Sequence, residues 1–264
     1  MMAHSTTAST IERSADVPAV RRIGVTDLQR ALWKGVDDFQ AKPSHILFLG
    51  IIYPLVALFL SRLTFGYDVL PLLFPLIAGF ALIGPVAAIG LYELSRRREQ
   101  GLEVEWRHAF GVLKSPSIGA IAALGALLAV IFLAWLGVAM AIYGATLGTY
   151  PASVAEFLNR LLTTAEGWTL IVVGNGVGFL FALFVLMISA VSFPMLIDRR
   201  VSAFTAVQTS VRAFVKNPLT MTLWGLIVAI SLVLGCIPLF VGLAVVVPVL
   251  GHATWHLYRR VVER

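Results

Sequence analysis

The sequence predicts an all-α fold, a polytopic transmembrane helix bundle of six spans with interfacial amphipathic helices between them. Three observations predict it. Of 264 residues, 59% are hydrophobic and only 13% are charged, with a mean hydropathy of +0.89. A soluble domain carries roughly 25% charged residues, so this chain cannot cover a water-facing surface. Six apolar runs reach or approach the roughly 20 residues that cross about 30 Å of hydrocarbon. Lysine and arginine alternate in density across those runs, which is the pattern that sets membrane orientation.

Residues 1–20 mix Ser, Thr and Ala with Glu12, Arg13 and Asp16 and hold no apolar core of the signal-peptide kind. Residues 1–22 are expected to form a disordered cytoplasmic tail, and 23–264 one six-span membrane domain. From Thr26 to Gln40, Leu28, Leu32, Val36 and Phe39 recur at helical spacing. This predicts an amphipathic helix capped by Thr26, with its apolar face on lipid. The first span is expected at Ile46 to Leu60 and the second at Leu70 to Leu94. A short amphipathic piece, Glu105 to Leu113, leads through Ser115-Pro116 into the third span, Ile118 to Leu147. Ala152 to Leu162, capped by Ser153, precedes the fourth span, Leu170 to Ile197. Ser202 to Val215, capped by Ser202, precedes the fifth span, Leu219 to Leu234. Gly235-Cys236-Ile237-Pro238 makes a tight hairpin into the sixth, Leu239 to Leu257. Cys236 has no second cysteine to pair with and reads as a small apolar side chain.

Eighteen Lys and Arg fall on one side of this arrangement, and only Arg62 and Arg160 on the other. The positive-inside rule then puts both termini in the cytoplasm. The net charge of +6 lies in clusters beside apolar runs, with no separate polar domain, so no nucleic-acid partner is expected. Ala31, Phe39, Pro43 and Gly50 recur at one offset as Ala206, Phe214, Pro218 and Gly225. This predicts three repeated units, each an interfacial helix followed by a two-span hairpin.

Four blocks carry a family resemblance: Gly79 to Pro85 with Gly90 to Glu99, Pro194 to Arg199, Gly251 to Arg259, and Lys34 to Phe39. Together they resemble a family of predicted bacterial integral membrane proteins, catalogued as the domain of unknown function numbered twenty-one eighty-nine. The resemblance spans nearly everything after the tail. It implies a bacterial inner-membrane location, and brings no activity, substrate or site. Some relatives carry a cytochrome oxidase subunit label, which adds a haem-binding or respiratory-complex subunit to the readings.

Ionisable groups at span ends are costly unless paired or hydrated. His45, Glu93, Asp198, His252 and His256 all fall near cytoplasmic span ends and are the candidate ligand-binding residues. In one arrangement they converge on one cytoplasmic mouth. In the other, the carboxylates pair with neighbouring arginines and the histidines hydrogen-bond at the interface. His252 and His256 share one helix face, but Ala253 stands where a zincin needs its glutamate, so no metal site is assigned. Haem would need axial histidines such as His45 facing His252 or His256. Five histidines in all are few for an oxidase core, and no cofactor is assigned. Span two carries Pro71, Pro75, Gly79, Gly84, Pro85 and Gly90, and span six and its entry carry Pro238, Gly242, Pro248 and Gly251. Such interruptions are either kinks packed through small residues or the broken helices of a transporter. Asn175, between Gly174 and Gly178, reads as a close helix contact. No Walker loop, dinucleotide fingerprint or nucleophile elbow is present, and no catalytic residue is assigned.

The expected function is a non-catalytic bundle that organises membrane lipids and membrane-protein partners. Trp33, Trp106, Trp255 and Tyr258 are expected as its interfacial aromatic belt. The alternatives are a small-molecule permease or channel, and the haem-binding subunit.

Overall fold

The structure is a computed structural model, and it describes residues 18–41, 75–76, 84–148, 153–238 and 240–263. Its elements are α1 (Val25–Ala41), α2 (Ile89–Glu99), a 3-10 helix (Trp106–Lys114), α3 (Ile118–Thr146), α4 (Val154–Thr163), α5 (Ala165–Ser189), α6 (Ser192–Asp198), α7 (Ala203–Lys216), α8 (Pro218–Cys236) and α9 (Leu243–Val261). Among the described residues the only strand-like pairing is an antiparallel bridge between Val20 and Val262. The all-α class follows.

Three stretches of the described residues are long and apolar enough to cross a membrane: Ile118–Thr146, Ala165–Asp198 and Pro218–Cys236. They match the third, fourth and fifth expected spans and are fewer than the six expected. The first span, the first part of the second up to residue 83 apart from residues 75–76, His45 and most of the tail lie outside the described residues. The sixth is α9, which starts later than Leu239 and carries His252, His256, Arg259 and Arg260 in its second half. That polar half removes it from the apolar class. On α3, α5 and α8, Val130, Leu133, Val172, Leu180, Ile230 and Val233 face outward, as hydrocarbon-facing side chains do.

Local chemistry explains the element ends. Ser153 Oγ accepts the Glu156 N–H at 3.1 Å, and Ser202 Oγ accepts the Thr205 N–H at 3.0 Å, so both expected caps form. Thr26 does not cap α1. The helix already begins at Val25, and Asp27 Oδ2 accepts the Gly24 N–H at 3.0 Å. The fourth span breaks at Ala190-Val191 because Pro194 has no N–H and crowds the carbonyl four residues back. Ser210 Oγ of α7 takes up the Val191 N–H at 3.2 Å. The α8–α9 hairpin closes on glycines: a Cβ on Gly242 would stand 2.8 Å from the Gly235 carbonyl oxygen.

Three of the four short amphipathic elements dock on a helix that ends an expected hairpin, and the fourth, α4, packs on α5, which follows it. The 3-10 helix packs on α2, α7 packs on α5 and α6, and α1 packs on α9. The first therefore closes onto the last. The expected lipid-facing role of the α1 apolar stripe is corrected by this contact. Leu28, Ala31, Gly35 and Asp38 are the buried face, because the small residues allow backbones to approach. A Cβ on Gly35 would sit 2.6 Å from the Val249 carbonyl oxygen. Two belt residues are corrected as well. Trp255 and Tyr258 are fully buried in the core, whereas Trp33 and Trp106 are exposed. Asn175 is exposed and bonds back to the Ile171 carbonyl oxygen of its own helix at 2.7 Å, so its amide bridges to no other helix among the described residues. Gly178 does, since a Cβ there would meet the Trp135 ring at 3.0 Å.

Candidate functional site

The polar residues at the span ends form two networks, one buried and one partly exposed, and the second reaches a cleft. The first is centred on Asp38 of α1, which is 6% exposed. Its carboxylate accepts hydrogen bonds from Ser95 Oγ at 2.5 Å, from His256 Nε2 at 2.8 Å and from the Arg98 guanidinium. Ser95 and Arg98 belong to α2 and His256 to α9, so one carboxylate joins three helices. Burial pushes the Asp38 carboxyl up. The hydrogen bonds from His256 and Ser95, the field of His256 and the Arg98 hydrogen bond outweigh it and hold the carboxyl at about 2, below its ordinary 3.8.

Proton counting fixes the tautomers. Ser95 has one proton, and Asp38 takes it. The Ser95 oxygen then accepts from His252 Nδ1 at 2.8 Å, which makes Nδ1 the protonated nitrogen of His252. His252 Nε2 is buried and has no hydrogen-bond partner among the described residues. Ser, His and Asp meet here, but Ser95 is wholly buried and its proton points to Asp38. It cannot reach a substrate as a nucleophile, because a triad serine must give its proton to the histidine.

The second network is centred on Arg259 of α9. Its guanidinium bonds Asp198 Oδ2 at 3.0 Å and both oxygens of Glu99 at 3.1 to 3.2 Å. Tyr258 Oη donates to Asp198 Oδ2 at 2.6 Å, and Trp255 Nε1 donates to Glu99 Oε2 at 3.1 Å. The ends of α2, α6 and α9 are thus held by one arginine. Glu93 of α2 accepts two bonds from Arg96, at 2.8 and 2.9 Å. That bidentate geometry is the strong form of the pair.

Glu93, Arg96, Asp198, Arg199 and Arg200 line a cleft of about 300 Å³ together with Ser115 and Ser117. The candidate residues therefore divide. His252 and His256 meet at Asp38, and Glu93 and Asp198 face the cleft. Sequence reasoning missed Asp38, Ser95, Arg98, Glu99 and Arg259. A signal for Asp38 was present: it lies three residues after Gly35 and seven after Ala31, on the small-residue side of α1 that helix packing prefers.

No curated protein and no solved structure matches the chain. A family model matches residues 73–198. It contains the Gly79 to Glu99 block and nearly all of the Pro194 to Arg199 block; the Lys34 and Gly251 blocks lie outside it. The family that the sequence blocks resemble is the one whose model this segment matches: DUF2189, a predicted integral membrane protein.

Proposed function

We propose that this chain is a non-catalytic, six-span bundle of the bacterial inner membrane, with both termini in the cytoplasm, that organises lipids and partner membrane proteins. One observation carries the reading. Ionisable groups at the span ends, Glu93 paired within α2 apart, are bonded to one another across helices, with Asp38 joining α1, α2 and α9 and Arg259 joining α2, α6 and α9. A permease needs polar groups that exchange their partners for a solute during transport, whereas bonds of this kind lock helix ends together. The ring of docking contacts supports three helix-plus-hairpin units. At the offset of the sequence repeat, buried Ala31, Gly35 and Asp38 align with buried Ala206, Ser210 and Ala213. Trp135 Nε1 donates to the Pro75 carbonyl oxygen at 3.0 Å, which satisfies backbone within the proline-rich second span as a packed kink requires.

The test pairs abundance with flux. Asp198→Asn and Glu93→Gln are expected to lower the steady-state amount of protein in the membrane, and proteoliposomes of the parent are expected to move none of a panel of ions and small solutes. A flux that the parent supports and Asp198→Asn abolishes would overturn the reading in favour of a permease. A tag beside Arg97 is expected to be reachable only from the cytoplasmic side, and labelling from outside would overturn the six-span orientation.

A further inference from the structure

Three helices meet at the cleft between α2, the 3-10 helix and α6. We propose that it binds a phosphate oxyanion, and that the source is the headgroup of an anionic phospholipid. The level is set by the spans. The long apolar helix α3 begins at Ile118, one residue beyond Ser117, and the apolar stretch Ala165–Asp198 ends at the cleft. The cleft therefore stands where two spans leave hydrocarbon, at headgroup depth.

Its charge favours an anion. Three arginines line it against two carboxylates, and both carboxylates already have partners. Glu93 is held bidentately by Arg96, and Asp198 is held by Tyr258 and Arg259. Arg200 is exposed and has no ion-pair partner among the described residues. Arg199 gives a hydrogen bond to the Glu263 carbonyl oxygen and stands 3.8 Å from Asp198, too far for a hydrogen bond, which leaves it further N–H donors. Ser115 Oγ accepts the Ser117 N–H at 3.2 Å, so its own proton is available. Guanidinium and hydroxyl donors on one side of a cavity are the chemistry that takes a phosphate. Buried Val112 and Ile197 in the wall suit the apolar glycerol and acyl portion. The 3-10 helix that forms this wall also presents Trp106 and Phe110, edge to face at 6.2 Å, and Leu113 to the outside. Arg107 and Lys114 flank them, as in an element seated among anionic headgroups.

The test uses the full chain in nanodiscs of phosphatidylcholine with a minor fraction of phosphatidylglycerol, followed by native mass spectrometry of the released protein. The parent is expected to retain phosphatidylglycerol over phosphatidylcholine. Arg200→Gln is expected to weaken that preference by about tenfold, the scale of one lost charge-assisted bond, with an unchanged melting temperature because Arg200 is exposed. Arg199→Gln/Arg200→Gln goes further, and Arg30→Gln, on the exposed side of α1, changes nothing. Millimolar inorganic phosphate is expected to leave the lipid in place. Displacement by phosphate would keep the oxyanion site and overturn the lipid as its source. Equal retention by the parent and folded Arg200→Gln would overturn the site. The inference depends only on the membrane placement of α3 and α6, so solute flux would sink the scaffold role and leave it standing, whereas equal retention would do the reverse.

Discussion

Replacing Asp38 by asparagine removes one charge and almost no volume from the point where three helices join. The side chain is 6% exposed and accepts from Arg98, Ser95 and His256. An asparagine carbonyl can accept part of that set, but its amide would turn a donor toward groups that are themselves donors. Taking one partner from a buried ion pair costs about 3–5 kcal/mol. Arg98 is 35% exposed and regains water when released, which trims the loss to about 2–4 kcal/mol. For a chain of this length that lowers the melting temperature by about 4–16 °C. Thermal unfolding of the detergent-purified protein, followed by tryptophan fluorescence, measures it. Ser95→Ala breaks the same network from the other side, and the double variant should lose less than the two singles combined, because they share a partner. Melting of Asp38→Asn within about 1 °C of the parent would refute the claim that this carboxylate holds α1 to α2 and α9.

Acid should reveal the same group. The folded carboxyl is held at about 2 against an ordinary 3.8, so its stabilisation is complete above the ordinary value and is lost as pH falls through the folded one. The parent is therefore expected to lose melting temperature between about pH 4 and pH 2, and Asp38→Asn to show a shallower fall over that window. Parallel slopes would contradict the assignment. Gly35→Ala is expected to lift α1 from α9. The new Cβ meets the Val249 carbonyl oxygen at 2.6 Å and Ala253 Cβ at 2.7 Å, neither of them a flexible side-chain tip, at a cost of about 1–3 kcal/mol. Faster proteolysis within α1 and a lower melting temperature report it, with Gly137→Ala, which has open space around it, as the neutral control.

How much of this was legible in the sequence depended on the physics of each segment. Long apolar helices declare themselves by composition, and α3, α5 with α6, and α8 appear where their runs were expected. Caps need only one side chain and its neighbours, so Ser153 and Ser202 were readable. The packing face of α1 was not. A hydrophobic stripe marks what avoids water, while close helix contact selects what is small, and the two directions differ on this helix. Trp255 and Tyr258 misled for a related reason. An aromatic ring with a polar tip suits a membrane boundary, but it equally suits a core that offers an acceptor, and Glu99 and Asp198 are those acceptors. The histidines were found by type and by position at a helix end, whereas the carboxylate that gathers them came from a helix more than two hundred residues away, with Asp38 and His256 separated by 218 positions.

That separation bears on how the protein is made. The face of α1 that carries Leu28, Ala31, Gly35 and Asp38 leaves the ribosome long before the helix that covers it. Until Val261 emerges, a buried-type aspartate has no histidine opposite it and a small-residue groove has nothing to fill it. The Val20–Val262 bridge fastens the segment before α1 to the segment after α9 once both exist. Assembly of this bundle is therefore a closure rather than an addition. A nascent chain truncated anywhere before α9 keeps an open seam, a ready mark for quality-control proteases to recognise.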